Sequence, residues 1–98
     1  MSLLAAFAGH GNLTTRAFSV TAQRSWQLRW SYACRAGRRG DSFRFRVATE
    51  GKRGGLLGPE IGQTGPSGHG VSVHEPDAAR HYLVVRSTCA WTVQVTSG

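Results

Sequence analysis

Strict alternation between large apolar and polar side chains constrains this chain more than any other feature of its sequence. In residues 26–34 the even positions are Trp, Leu, Trp, Tyr and Cys, whereas the odd positions are Gln, Arg, Ser and Ala. Successive side chains of a β-strand point to opposite faces, so this segment predicts a strand with one buried face. Residues 43–47, 71–74 and 89–95 repeat the pattern and predict three more strands.

The remaining segments also favour strands. Residues 81–85 carry apolar side chains on both faces, which is typical of a central strand covered on both sides. Residues 13–20 are rich in Thr, Phe and Val and predict an early strand, and no segment predicts a helix of ordinary length. Short strands between Gly- and Pro-containing turns predict one all-β domain, a small antiparallel β-sandwich, jelly-roll-like or Ig-like, of about 7–8 strands.

The segment 51–70 differs in composition from the rest of the chain. Eight of its residues are glycine and two are proline. Because glycine weakens the interior of a strand, we expect a long loop or an irregular edge hairpin here.

The two cysteines, Cys34 and Cys89, both lie on the apolar phase of their segments. This placement predicts that both sulfurs point into the core and form a disulfide; the alternative is two separate buried thiols. In the chain-entropy model a bridge closing so long a loop contributes about 4 kcal/mol. It would indicate an oxidising compartment, and hence an extracellular or cell-surface protein.

The amino-terminal segment is apolar from residue 3 to residue 8. It is shorter than the core of a signal peptide and no basic residue precedes it. We expect a first strand here; the alternative is a mature or truncated form whose export signal was removed or lies upstream. No stretch approaches the ~20 apolar residues that span a bilayer, so we expect no membrane span.

The charge balance suggests a class of partner. Twelve Lys and Arg against five Asp and Glu give a net charge of +7, which attracts polyanions. The candidate anion-binding residues lie on the outward phase of the strands or in the glycine-rich segment: Arg29, Arg44, Arg46, Arg86, Lys52 and Arg53. We expect a solvated basic face; the alternative is that this face binds an anionic glycan, a cell-envelope polymer or a lipid. Nucleic acid is less expected, because the aromatic residues fall on the buried phase.

No pattern of catalytic or metal-binding residues stands out. His69 and His74 are five residues apart and match no zinc spacing, so we expect the histidines to be solvated surface residues. The segment 51–55 lacks the Gly-Lys-Ser/Thr ending of a phosphate-binding loop. We therefore expect an extracellular, non-enzymatic binding or structural module of unknown ligand, without cofactor or metal; the alternative is a polyanion binder that uses an Arg-rich sheet face. Self-assembly is a further expectation, through Thr-rich edges at Thr14 and Thr15 or at 92–96.

Two segments resemble a broad group of small secreted or lipid-anchored actinobacterial proteins of uncharacterised function. They are Trp26-x-Leu28-x-Trp30-x-Tyr32-x-Cys34 and Tyr82-Leu83-x-Val85-x-x-x-Cys89-x-Trp91-Thr92-Val93-x-Val95. The resemblance implies a β-sandwich with one disulfide and carries no catalytic residue. Ala33 stands where the group usually has an acidic residue.

Overall fold

Two antiparallel β-sheets pack face to face in the computed structural model, which describes residues 2–21, 23–35, 40–50, 56–76 and 78–97. The nine strands are β1 (Ser2–His10), β2 (Leu13–Thr14), β3 (Phe18–Ser19), β4 (Trp26–Ala33), β5 (Ser42–Thr49), β6 (Leu56–Thr64), β7 (Ser67–His74), β8 (Arg80–Ser87) and β9 (Ala90–Ser97). Within these ranges no helix is long and apolar enough to cross a membrane. The predicted all-β sandwich is confirmed.

The strand order separates the chain into two sheets. Sheet A has the order β1-β9-β4-β7, and sheet B has the order β2-β8-β5-β6 with β3 also paired to β8. The early strand expected over 13–20 is divided into β2 and β3, which raises the strand count above the expected number. The reason is Thr15: its backbone N–H donates to the Leu83 carbonyl at 2.9 Å, and its Oγ1 accepts from the Leu83 N–H at 2.9 Å. The Thr15 hydroxyl thus takes the place of a backbone carbonyl in one hydrogen bond of the β-ladder.

The core lies between the sheets and is rich in aromatic rings. In β4 the even-numbered residues are buried and the odd-numbered ones are exposed or half-buried, as the alternation predicted. Trp26, Leu28, Phe43, Phe45 and Leu83 are almost fully buried. The expectation for 81–85 was wrong on one side: Tyr82 and Val84 are only half-buried, so the outer face of β8 is not covered.

The expectation of a long loop or edge hairpin over 51–70 was wrong for the described part. Residues from 56 onward form β6 and β7, which are edge strands of opposite sheets and do not pair as a hairpin. Close packing accounts for the glycine at position 70: a Cβ there would lie 2.5 Å from Cζ2 of Trp30. Glycine is therefore needed so that the ring can extend over its neighbouring strand. Residues 51–55 lie outside the described residues.

The Cys34–Cys89 disulfide is confirmed. The β4–β9 ladder pairs Tyr32 with Trp91 and Ala33 with Ala90, so the cysteines occupy the next position of the same register. Their Cα atoms are 4.6 Å apart. Cys89 is buried, and Cys34 is half-buried against the core. The bridge therefore extends the ladder and ties the end of β4 to the turn between β8 and β9.

The edges of the sheets differ from those expected for self-assembly. Residues 92–96 belong to β9, which lies inside sheet A between β1 and β4, so they cannot form an edge. Thr14 does lie at an edge, but its strand β2 is two residues long. The long edges of sheet A are β1 and β7.

Candidate anion-binding face

Arg44, Arg46 and Arg86 project from the outer face of sheet B. Arg44 and Arg46 alternate along β5 with buried Phe43, Phe45 and Val47, and this alternation turns both guanidinium groups away from the core. Arg86 follows buried Val85 on the neighbouring strand β8. The register places Arg44 directly opposite Arg86, and Arg46 opposite Val84. We call Arg44, Arg46 and Arg86 the arginine face.

The carboxylate of Glu60 reaches this face. Oε1 of Glu60 lies 3.5 Å from Nη1 of Arg44, and Oε2 lies 3.7 Å from Nε of Arg46. A register irregularity between Phe45 and Val47 interrupts the β5–β6 pairing beside Glu60. The Glu60 side chain is 25% exposed, whereas the side chains of Arg44 and Arg46 are about half exposed. Ion pairs this long and this wet contribute little stability.

The surroundings of Arg86 differ from those of Arg44 and Arg46. Among the residues that the structure describes, no carboxylate lies within ion-pairing distance of its guanidinium group. Its side chain is exposed and stands directly across from another cation. The arginine face therefore carries more positive charge than Glu60 can balance.

Two adjoining grooves cross the arginine face. The smaller, of about 240 Å³, is lined by Arg46, Glu60, Val84 and Arg86. The larger, of about 480 Å³, is lined by Arg44, Glu60, Gly62, Gln63 and Thr64. Glu60 borders both grooves.

The structure does not bring all six predicted residues together. Arg29 lies in β4 of sheet A, where its ladder partners are Val71 and Gln94. It therefore projects from the opposite side of the sandwich, and its expected place in a common patch with Arg44 was wrong. The outward phase of a residue shows that its side chain points away from the core, but it does not show to which of the two sheets its strand belongs. Lys52 and Arg53 lie outside the described residues.

The expectation of solvated histidines holds for His10 and His69, which are exposed, but is wrong for the other two. His81 is fully buried, and its Nδ1 lies 3.1 Å from Oγ1 of Thr49. The rings of His74 and His81 both stack on Trp26, with centroid distances of 4.3 Å and 5.2 Å. Burial lowers the pKa of His74, and the charge of His81 lowers it further.

One group of potential metal ligands occurs in the described residues, with its ligand atoms within 4.8 Å of one another: Cys34, Asp41 and Cys89. Its two sulfurs are joined in the disulfide, so neither offers a thiolate. Asp41 instead accepts a hydrogen bond from Oγ1 of Thr88 at 3.1 Å. The group therefore gives no support for a metal centre.

Comparison of this chain with protein-family models, with curated proteins and with solved structures finds no match.

Proposed function

We propose that this protein is an extracellular, non-enzymatic binding module whose arginine face binds the anionic groups of an acidic glycan or cell-envelope polymer. The observation that carries the proposal is the pairing of Arg44 directly opposite Arg86. Like charges directly opposite in an antiparallel pair are destabilising. An anion bound between the two side chains converts this repulsion into binding energy.

The placement of the aromatic residues favours a glycan over a nucleic acid. Of the nine Phe, Trp and Tyr residues, all are buried except Tyr82, which is half-buried on the outer face of sheet B. Proteins that bind single strands stack successive bases on exposed aromatic rings. One half-buried ring provides no such platform, whereas arginines alone suffice for sulfate and carboxylate groups.

The disulfide supports the extracellular part of the proposal. Disulfides persist in oxidising compartments and are rare where glutathione and thioredoxin keep thiols reduced. The bridge also stabilises a chain of only 98 residues, whose single core leaves a limited margin.

The test compares two double variants of equal charge. Arg44→Gln with Arg86→Gln removes two cations from the arginine face. The control, Arg24→Gln with Arg29→Gln, removes two exposed cations from the segment before β4 and from the outer face of sheet A. Binding of heparin is measured by calorimetry over a range of salt concentrations.

The arginine-face variant is expected to bind at least roughly tenfold more weakly, with a salt dependence reduced by about two counterions. The control is expected to lose less than roughly threefold. Equal losses in both variants would show that only net charge matters and would overturn the proposal. Tighter binding of single-stranded DNA than of heparin would replace the glycan by a nucleic acid.

A further inference from the structure

The smaller groove on the arginine face has the features of a subsite for one charged unit. It is lined by two cations, Arg46 and Arg86, and by Val84, which lies directly across from Arg46 and two residues before Arg86 on β8. Its volume of about 240 Å³ is below the ~300–1,000 Å³ of pockets that enclose a drug-sized ligand. An extended polymer therefore places one unit in it at a time.

The wall at Val84 narrows the ligand class. Val84 is half-buried, so part of its apolar side chain remains open to the groove. A free phosphate or sulfate ion gains nothing from an apolar surface, whereas the C–H face of a sugar ring does. Two guanidinium groups flanking an apolar contact fit a sugar that carries a carboxylate.

Glu60 places a competing carboxylate in the same groove. Its oxygens lie 3.5 Å and 3.7 Å from the nitrogens of Arg44 and Arg46, too far for strong charge-assisted hydrogen bonds. A ligand carboxylate is repelled by Glu60 and competes with it for Arg46. Because the ion pairs of Glu60 with Arg44 and Arg46 are long and exposed to solvent, the ligand can displace Glu60 at a small cost in free energy.

On the basis of the proposed function, we infer that the groove between Arg46, Val84 and Arg86 binds one uronic-acid residue of an acidic glycan, and that Glu60 is a built-in competitor that lowers its affinity. Arg86, which has no ion-pair partner among the described residues, anchors the ligand carboxylate. Arg46 exchanges Glu60 for the ligand.

The test uses a matched pair of charge removals. Glu60→Gln removes the competitor, and Glu50→Gln removes an equal charge just past the end of β5, about 13 Å along the chain from Arg46, where Glu50 pairs with Arg80 at 3.4 Å. The probe is a 1,4-linked galacturonate trimer, with its methyl ester and inorganic sulfate as controls. Thermal unfolding confirms that each variant is folded.

Glu60→Gln is expected to tighten binding of the trimer roughly three- to tenfold, and Glu50→Gln less than roughly twofold. Val84→Thr keeps the shape of the side chain but makes it polar, so it is expected to weaken the trimer several-fold and to leave sulfate unchanged. The methyl ester is expected not to bind.

Two results separate this inference from the proposed function. Suppose that the wild type binds the trimer and the arginine-face variant does not, but that Glu60→Gln and Glu50→Gln change the affinity for the trimer equally. Glu60 is then not a competitor of the ligand, and the proposed function stands. Binding of the methyl ester as tightly as the acid overturns the carboxylate subsite. If the wild type binds neither heparin nor the trimer, both proposals fail.

Discussion

Arg44 of β5 lies directly opposite Arg86 of β8, and the two guanidinium groups share one exposed face on which Glu60 pairs with Arg44. Their repulsion predicts that Arg86→Gln stabilises the fold by a few tenths of a kcal/mol at low salt. The gain should disappear at about 1 M salt, where the Debye length falls to about 3 Å.

Urea unfolding of this variant beside Arg29→Gln checks the prediction. The ladder partners of Arg29, Val71 and Gln94, are uncharged, so its removal relieves no cross-strand repulsion and should not stabilise. If Arg86→Gln destabilises the fold at low salt, the predicted repulsion between Arg44 and Arg86 is contradicted.

A second prediction concerns the contact between Gly70 and Trp30. Gly70→Ala places a Cβ 2.5 Å from Cζ2 and 2.8 Å from Cε2 of the ring, so the ring or the edge strand must shift. We expect a loss of about 1–3 kcal/mol in the free energy of unfolding. In a Trp30→Phe background the obstructing atoms are absent, so the same glycine substitution should cost clearly less. Additive losses in the double-mutant cycle would contradict the proposed contact.

The contact between Gly70 and Trp30 also explains why the sequence predicts the buried face of some strands and not of others. The alternation in β4, β5 and β9 is strong because each buries one face, and their phases were correct. The alternation at 71–74 predicted the wrong phase for β7: its inward positions are Gly68, Gly70, Ser72 and His74, and its valines point outward. The rings of β4 fill the space that side chains of β7 would otherwise occupy, and a single sequence does not reveal this exchange.

A third prediction follows from the stacking of His74 on Trp26. The pKa of His74 is lowered in the folded protein from its ordinary value of 6.5, first by burial and then by His81. The unfolded chain therefore takes up the proton at a higher pH than the folded chain does. The stability associated with neutral His74 is present above pH 6.5 and is lost as the pH falls toward the lower folded-state pKa.

Thermal unfolding between pH 7.5 and pH 5 measures this loss. His74→Gln should reduce the decline in stability over that interval. His69→Gln, which changes an exposed residue of the same strand, should leave the decline as it is in the wild type. If the stability of His74→Gln falls between pH 7.5 and pH 5 as much as that of the wild type, other titratable groups cause the decline.

A fourth prediction concerns the bridge that extends the β4–β9 ladder. Replacing Cys34 and Cys89 together by Ala should lower the free energy of unfolding by about 2–4 kcal/mol, because the unfolded chain is no longer constrained. Urea unfolding of the wild type in reductant should give a similar value. Thiol titration of the denatured wild type without reductant should find no reactive thiol; two reactive thiols would contradict the bridge.

The site was harder to predict than the fold. The outward phases of Arg44, Arg46 and Arg86 were visible in the sequence, but the register that joins β5 to β8 was not. Glu60 was missed because it lies in the segment expected to be a loop, and no periodicity placed it beside Arg46. Arg29 shared the outward phase yet lies on the other sheet. For His81, the signal was present: it shares the inward phase of Leu83 and Val85.

A residue-resolved NMR titration with a heparin-derived hexasaccharide tests most directly whether the arginine face binds anionic groups. If the arginine face binds the anion, saturable shifts should appear in the backbone amides of Arg44, Arg46, Val84 and Arg86 and in the corresponding arginine Nε signals. The amides of Arg29 and Val71 on sheet A should not move. Saturable shifts centred on Arg29, or weak shifts spread over both sheets without saturation, would contradict the claim.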